Sequence, residues 1–341
     1  GILKKWLKCG IAGYRLDVAD ELPDIFLDDL RKSVKSENPN AIIIGEVWED
    51  ATNKFAYGQR RKYLLGEELD SVMNYPFADA VLDFVRFANG DSFFNSVMSI
   101  VENYPPQVLS VLMNHIGTHD TVRAITRLAG ENPDGHDRTW QFEHNTLSKF
   151  DYLRGVSMMK IASLIQFTLP GVPSIYYGDE IGMRYVEGLK SVEGGYNRTG
   201  SRSPMQWDDS TNAGFSSAPA SDLYITMDPG KDRPTAKAQM ADPDSLYHEV
   251  KKLIQIRQSS KALLSRGTIE FVYAEKNQYP LAYVREAEGE KVLVIINPSD
   301  KEQSFPYSAE LKDALYTIGG KAESKDGTIT IPAQSAGFYH I

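Results

Sequence analysis

Three carboxylates stand at the ends of stretches that read as β-strands: Asp17 in GYRLDVADE, Glu46 in AIIIGEVWED and Asp120 in VLMNHIGTHDTVR. Carboxylates used in pairs do acid, base and nucleophilic work, and cleavage of a glycosidic bond takes two of them. Arg15 lies two residues before Asp17, so the two side chains leave a strand on the same face. A guanidinium placed there keeps a carboxylate ionised and aimed, as a nucleophile must be. Glu46 follows a glycine at the end of an apolar run, a setting whose desolvation favours the protonated form and so suits an acid. Taken singly, an Arg–Asp pair equally makes a structural ion pair, and a strand-end glutamate equally caps a helix. The separation of the two acids is not written in the sequence.

The elements around these acids alternate. Strands are predicted over 13–18, 41–47, 71–74, 108–114 and 172–177, with helices after Pro23, where Phe26, Leu30 and Val34 recur every four residues, and over 78–87, 93–101 and 151–168. The run at 41–47 is apolar enough to be covered on both faces, as strands of a parallel sheet are. Strand and helix alternating five times is the pattern of βα units, and in a barrel the acids would meet on the C-terminal rim. An open doubly wound sheet satisfies the same pattern, so the choice rests on the motifs. The polar stretch 130–145 reads as a surface loop, and about seventy residues rich in Gly, Ser, Pro and Asp after Tyr177 read as a lid or rim, being too long for a simple connection. Ser245 then caps a helix striped by Leu246, Val250, Leu253 and Ile254. Short β-rich runs over 269–273, 281–285, 292–296, 328–331 and 337–341 suggest a small antiparallel sandwich, giving domains of 1–266 and 267–341.

Composition narrows the partners. The chain has 341 residues, 42% of them apolar, enough for one large and one smaller domain. Its formal charge of -9 argues against nucleic acid, which selects a basic surface. No apolar run approaches the roughly 20 residues of a membrane span. The single cysteine, Cys9, excludes an internal disulfide, reads as a buried small hydrophobe, and fits a reducing, cytoplasmic setting. Residues 1–10 resemble the end of an amphipathic helix and lack the features of a signal peptide, so the chain reads as starting in mid-domain.

GYRLDVADE, IIGEVWED and IGTHDTVR resemble, in order, the second, third and fourth conserved segments of the α-amylase superfamily, glycoside hydrolase family 13. The resemblance implies a (β/α)8 TIM barrel, units four to eight of it present here, followed by a C-terminal β-sandwich. It implies Asp17 as nucleophile, Glu46 as general acid/base and Asp120 as the carboxylate that stabilises the transition state, with Arg15 and His119 at sugar-binding and charge-orienting positions. DVADELP and LDSVMNYPFADAVLDF are similar to segments of neopullulanases, cyclomaltodextrinases and maltogenic amylases, whereas GGYNRTGSRSPMQWDD resembles a segment of oligo-1,6-glucosidases and α-glucosidases. GVPSIYYGDEIGM resembles the family's eighth strand and its loop, with Tyr177, Gly178 and Glu180 shaping the rim. The family's first conserved segment has no counterpart here, which implies a longer parent enzyme and little activity in the chain alone, since misplacement of substrate costs about 10²-fold.

The implied reaction is retaining hydrolysis of α-glucosidic bonds in maltodextrins, cyclomaltodextrins or related α-glucans, with an α-glucan oligosaccharide as partner and a homo-oligomer left open. An oligo-1,6-glucosidase or α-glucosidase, a transglycosylase using the same acids, and a non-catalytic glucan-binding or scaffolding module are the alternatives. Trp48, two residues beyond Glu46, is expected to stack on a sugar rather than pack the rim. Asp20 and Glu21 suit an acceptor sugar or equally a helix N-terminus. Arg123 matches a family arginine near the cleavage point, or pairs with a neighbouring acid. His115 reads as a satisfied structural histidine, and His136, His144, His248 and His340 have no metal-ligand spacing. No cofactor and no metal are assigned; calcium in relatives is bound mainly by segments absent here.

Overall fold

A computed structural model describes residues 1–131, 140, 143–144, 147–192 and 197–341; most of the expected 130–145 loop, with His136, lies outside the described residues. Its first part is built on five short parallel strands: β1 (Gly13–Leu16), β2 (Ile42–Gly45), β3 (Ser71–Val72), β4 (Met113–Asn114) and β5 (Val172–Pro173). They lie side by side in chain order: β1 pairs with β2, β2 with β3, a Met73–Met113 bridge joins β3 to β4, and β4 pairs with β5. The helices around them are α1 (Ile2–Lys8), α2 (Asp24–Glu37), α3 (Tyr75–Phe87), α4 (Gly90–Asn103), α5 (Ala124–Ala129), α6 (Lys149–Thr168) and α7 (Leu246–Ser259). Strands so short still hold their places because they run close together. At Gly13 a Cβ would lie 2.1 Å from the Ile42 carbonyl oxygen, so that site admits no side chain, and at Gly45 one would lie 2.5 Å from a Leu69 methyl, which would have to move.

Several expectations are corrected. In α2 the buried stripe is Leu27, Leu30 and Val34, while Phe26 is half exposed. Strict spacing by fours drifts about 40° per step around a helix of 3.6 residues per turn, so 27, 30 and 34 follow the core better than 26, 30 and 34. Pro23 caps α2 from outside its first turn. The expected strand over 108–114 is a helical turn, Pro106–Leu109, followed by β4 alone; Pro105 and Pro106 pre-set φ for the turn. The strand over 172–177 ends at Pro173, where the Gln166 amide, reaching in from α6, donates to the carbonyls of Asn114 and Ser174. Cys9 is exposed, since it terminates α1 at the surface.

The C-terminal part is two antiparallel sheets. The larger holds β6 (Thr268–Tyr273), β7 (Leu281–Ala287), β8 (Glu290–Asn297), β10 (Ala314–Ile318) and β13 (Ser335–His340) in the order β10-β13-β8-β7-β6; the smaller holds β9 (Gln303–Pro306), β11 (Glu323–Lys325) and β12 (Thr328–Ile331) in the order β9-β12-β11. Alternation along β8 explains the layering. Val292, Val294 and Ile296 join the core shared with α3, α4, α6 and α7, while Leu293 and Ile295 face Phe305, Ile329 and Ile331 of the small sheet. Arg285 of β7 ties the two parts together, fully buried, with Nε on the Thr268 carbonyl (2.9 Å), Nη2 on those of Leu264 (2.8 Å) and Gly267 (2.9 Å), and Nη1 on that of Thr168 at the end of α6. Among the described residues no helix is long and apolar enough to cross a membrane.

Candidate active site

The residues after β1, β2, β3 and β4 gather at one end of the parallel strands. Leu16 is in register with Gly45, so Arg15 and Asp17 at the end of β1 meet Glu46 just past β2. Arg15 Nη1 lies 2.6 Å from Asp17 Oδ1 and its Nη2 3.1 Å from Glu46 Oε2, while its Nε points at the Met73 sulfur (3.4 Å). Glu46 is buried and is held by two further donors. The Val18 amide donates to its Oε2 (2.8 Å) and the Trp48 indole N–H to its Oε1 (3.2 Å). Val18 adopts a left-handed conformation (φ 43), an uncommon one for a β-branched residue, and this turn aims its N–H at Glu46.

Trp48 is half-buried beside Glu46, with a neighbouring ring against it. Its ring stacks on Tyr75 at 3.9 Å between centroids and 14° between planes, and Tyr75 meets His115 edge-on at 4.6 Å. The indole is thus a brace for Glu46, held by an aromatic layer beneath the site. His115 at its base is buried and held neutral, its pKa pushed down to about 3 by burial. Neither of its ring nitrogens has a hydrogen-bond partner among the described residues, so it is buried but not satisfied.

Asp120 follows β4. Its Oδ1 accepts from Arg198 Nη1 (2.6 Å) and Arg202 Nη2 (2.8 Å), and its Oδ2 lies 3.0 Å from His119 Nε2. Burial opposes the charge of Asp120, but the His119 hydrogen bond and charge, with those of Arg198 and Arg202, outweigh it and hold the carboxyl well below the usual carboxylate range. The two arginines escaped the sequence reading of candidate sites, although both lie in the quoted GGYNRTGSRSPMQWDD segment; two arginines four residues apart in a Gly/Ser-rich stretch were the available signal.

Arg123, expected near a sugar, is instead sealed in the interior. Its guanidinium sits 4.4 Å from the Tyr176 ring centroid and 4.8 Å from that of Tyr177, donates to the Tyr177 carbonyl, and lies 3.4 Å from Asp179 Oδ1. It therefore fixes the turn after β5. Asp20 pairs with Lys54 (3.2 Å), and Glu21 accepts from the Tyr57 hydroxyl of the Phe55–Ala56/Gln59–Arg60 hairpin, so both acids flank the site beside that hairpin. No group of three or more His, Cys, Asp or Glu side chains among the described residues is arranged to hold a metal ion.

Parallel strands that deliver polar groups past their C-terminal ends are the arrangement of βα-barrel enzymes. Residues 1–267 match the family described as alpha amylase, catalytic domain, and the chain belongs to that family; residues 281–336 match the alpha-amylase SusG C-terminal domain. A cyclomaltodextrinase of a Bacillus species is 32% identical over 295 residues, which cover 86% of this chain and 40% of that protein. A cyclomaltodextrinase of Geobacillus thermopakistaniensis is 32% identical over 340 residues, covering 97% of this chain and 45% of that protein. The chain thus spans less than half the length of these curated relatives. A crystal structure of alpha-amylase from H. orenii aligns with a TM-score of 0.72 at 22% identity, over all of this chain and 63% of that one, a likeness of fold.

Proposed function

We propose that this chain carries the acid machinery of an enzyme that hydrolyses α-glucosidic bonds with retention, acting on maltodextrins or cyclomaltodextrins. The observation that carries the reading is the single guanidinium shared by Asp17 and Glu46. A common partner brings the two carboxyls close together, as in retaining glycosidases, where they stand about 5–5.5 Å apart. The names of the similar proteins point to the same substrate class.

In this reading the exposed Asp17 carboxylate attacks the anomeric carbon while Glu46 gives its proton to the leaving oxygen; Glu46 then takes a proton from the water that releases the sugar. Asp120, kept ionised by Arg198 and Arg202, faces the positive charge that develops on the sugar ring. Arg15 and Trp48 are positioning residues, His119, Asp20 and Glu21 are sugar contacts, and Arg123 is a scaffold for the rim. The five strands are units four to eight of the barrel, and the lone unpaired cysteine fits a cytoplasmic setting.

The test is release of reducing sugar from maltotriose, panose and cyclomaltodextrin. It compares the chain alone, the chain extended at its N-terminus by the further catalytic-domain length its relatives have, and the extended chain carrying Asp17→Asn. We expect hydrolysis by the extended chain, with the α-anomer released first in the NMR time course and a loss of at least about 10²-fold in Asp17→Asn. Hydrolysis that survives Asp17→Asn undiminished would remove Asp17 from the nucleophile's role.

A further inference from the structure

The turn after β1 presents a strained residue that its own side chain does not hold. Val18 is left-handed (φ 43), its N–H meets Glu46 Oε2 at 2.8 Å, and its side chain is 48% exposed, so packing of the valine does not secure the conformation. A residue branched at Cβ keeps such a backbone only where its surroundings impose it. The short helical turn Ala19–Glu21 comes next, closed by the Glu21 N–H on the Val18 carbonyl (2.9 Å). Whatever fixes that turn fixes the direction of the Val18 N–H.

Arg61, the residue after the Phe55–Ala56/Gln59–Arg60 hairpin, reaches across to it. Its Nη1 donates to the Asp20 carbonyl (2.7 Å) and its Nη2 to that of Leu22, one inside the turn and one at its exit, while Nε meets Asp24 Oδ1 in the first turn of α2 (2.6 Å). The arginine is itself held firmly. It is only 6% exposed, its backbone N–H donates to the Lys54 carbonyl (2.9 Å), and its guanidinium lies 4.7 Å from the ring centroid of the buried Tyr63. A planar fork can hold two carbonyls and a carboxylate at once, which a single ammonium cannot. The Asp24 pair alone would tie the hairpin to α2; the two carbonyl bonds go further and fix the backbone next to Val18.

Glu46 takes donors from three places: Arg15 Nη2 (3.1 Å), the Trp48 indole (3.2 Å) and the Val18 N–H (2.8 Å). Arg15 belongs to β1 and Trp48 follows Glu46 in its own segment, so the Val18 N–H is the donor whose aim depends on the turn. Asp17 has its own tie, to Arg15 Nη1 (2.6 Å), and does not lean on the clamp. Loosening Arg61 therefore bears on the buried acid and spares the exposed one.

We propose that Arg61 is a positioning residue for Glu46: by clamping the backbone of the turn after β1, it keeps the Val18 N–H on the carboxyl that gives its proton to the leaving oxygen. The inference rests on the hydrolase reading above, and the experiment separates the two. In the extended chain, Arg61→Met and Arg61→Lys are compared with the parent on maltotriose and on α-maltosyl fluoride, whose fluoride leaves as an anion and needs no proton from an acid. Hydrogen exchange of the peptide containing Val18 is followed by mass spectrometry, and melting curves verify folding. Arg61→Met is expected to lower kcat/KM for maltotriose about 10²-fold, and for α-maltosyl fluoride less than about threefold, with Arg61→Lys between parent and Arg61→Met on maltotriose. Exchange at Val18 should quicken while that of β2 does not. Equal losses on the two substrates in a folded variant would overturn the proposal, because a general scaffold spares neither; so would no loss on either. If Arg61→Met does not fold, Arg61→Lys carries the same comparison. An extended parent that turns over neither substrate would sink the hydrolase reading, and the clamp is then upheld by Val18 exchange that responds to Arg61 and overturned by exchange that does not.

Discussion

Asp17 and Glu46 are held by one side chain, Arg15, yet sit in opposite surroundings: the Asp17 side chain is 76% exposed and that of Glu46 only 5%. The guanidinium links two acids in different settings, one open to solvent and one enclosed by donors. A lysine has one point charge on a flexible stem and cannot span both. In the extended chain Arg15→Lys is expected to lower kcat/KM for maltotriose by about 10²-fold, because a small misplacement of catalytic groups costs that much. Since Arg15 is partly exposed at the rim, the melting temperature should move by no more than about 4 °C. Activity within twofold of the parent would show that the shared guanidinium does not set the geometry.

Glu68 supplies a prediction about pH. It is buried, neither carboxylate oxygen has a hydrogen-bond partner among the described residues, and burial, with the charges of Asp24 and Asp28 added, pushes its carboxyl up to about 7. The same group in an unfolded chain titrates near 4. Between those values the folded protein keeps a proton that the unfolded chain has released, so this contribution is full below about pH 4 and is lost as pH rises through about 7. Glu68→Gln keeps the shape and removes the titration. Urea unfolding should find the variant equal to the parent at pH 4 and more stable by about 1–3 kcal/mol at pH 8.

The readable parts of the sequence were those governed by local pattern. Asp17, Glu46 and Asp120 could be picked out because each stands at or just past a stretch that reads as a strand, within a segment that resembles a conserved one, and in the structure all three come to the same end of the parallel strands. The α7 stripe and the cap at Ser245 follow from spacing and from a hydroxyl that meets the His248 N–H. What escaped depends on distant partners. Nothing near Arg123 in the chain announces Asp179, and nothing near Trp48 announces Tyr75, 27 residues on, whose ring stacks on the indole. Strands β9, β10 and β11 were missed because they are short and, apart from Phe305, half-exposed or exposed, so that pairing rather than hydrophobic pattern defines them.

Arg285 makes the joint between the catalytic layer and the C-terminal sheets testable. Four carbonyl oxygens from Thr168, Leu264, Gly267 and Thr268 converge on one fully buried guanidinium. Arg285→Met fills a similar volume but strands those oxygens without donors, at a cost of about 3–5 kcal/mol. Calorimetry should show the loss as a single transition shifted to lower temperature, because Val292, Val294 and Ile296 share one core with Phe84 and Phe93. Two separated transitions would show instead that the sheets and the catalytic layer unfold independently.

Asp120 gives the opposite sign to Glu68. Arg198 and Arg202 share its Oδ1, His119 stands at its Oδ2, and these partners hold its carboxyl well below the usual range despite burial. A depressed folded-state value means that the stabilisation is fully present above the unfolded value near 4 and drains away as pH falls toward the folded one. Asp120→Asn keeps the outline but leaves two guanidinium groups facing a neutral amide. At pH 7 the variant should be less stable than the parent by about 1–3 kcal/mol. As pH drops from 5 toward 2 the gap should narrow, because the parent is losing what the variant never had. A gap that stays constant over that range would assign the loss at Asp120 to packing, and the two arginines would then have no measurable hold on its charge.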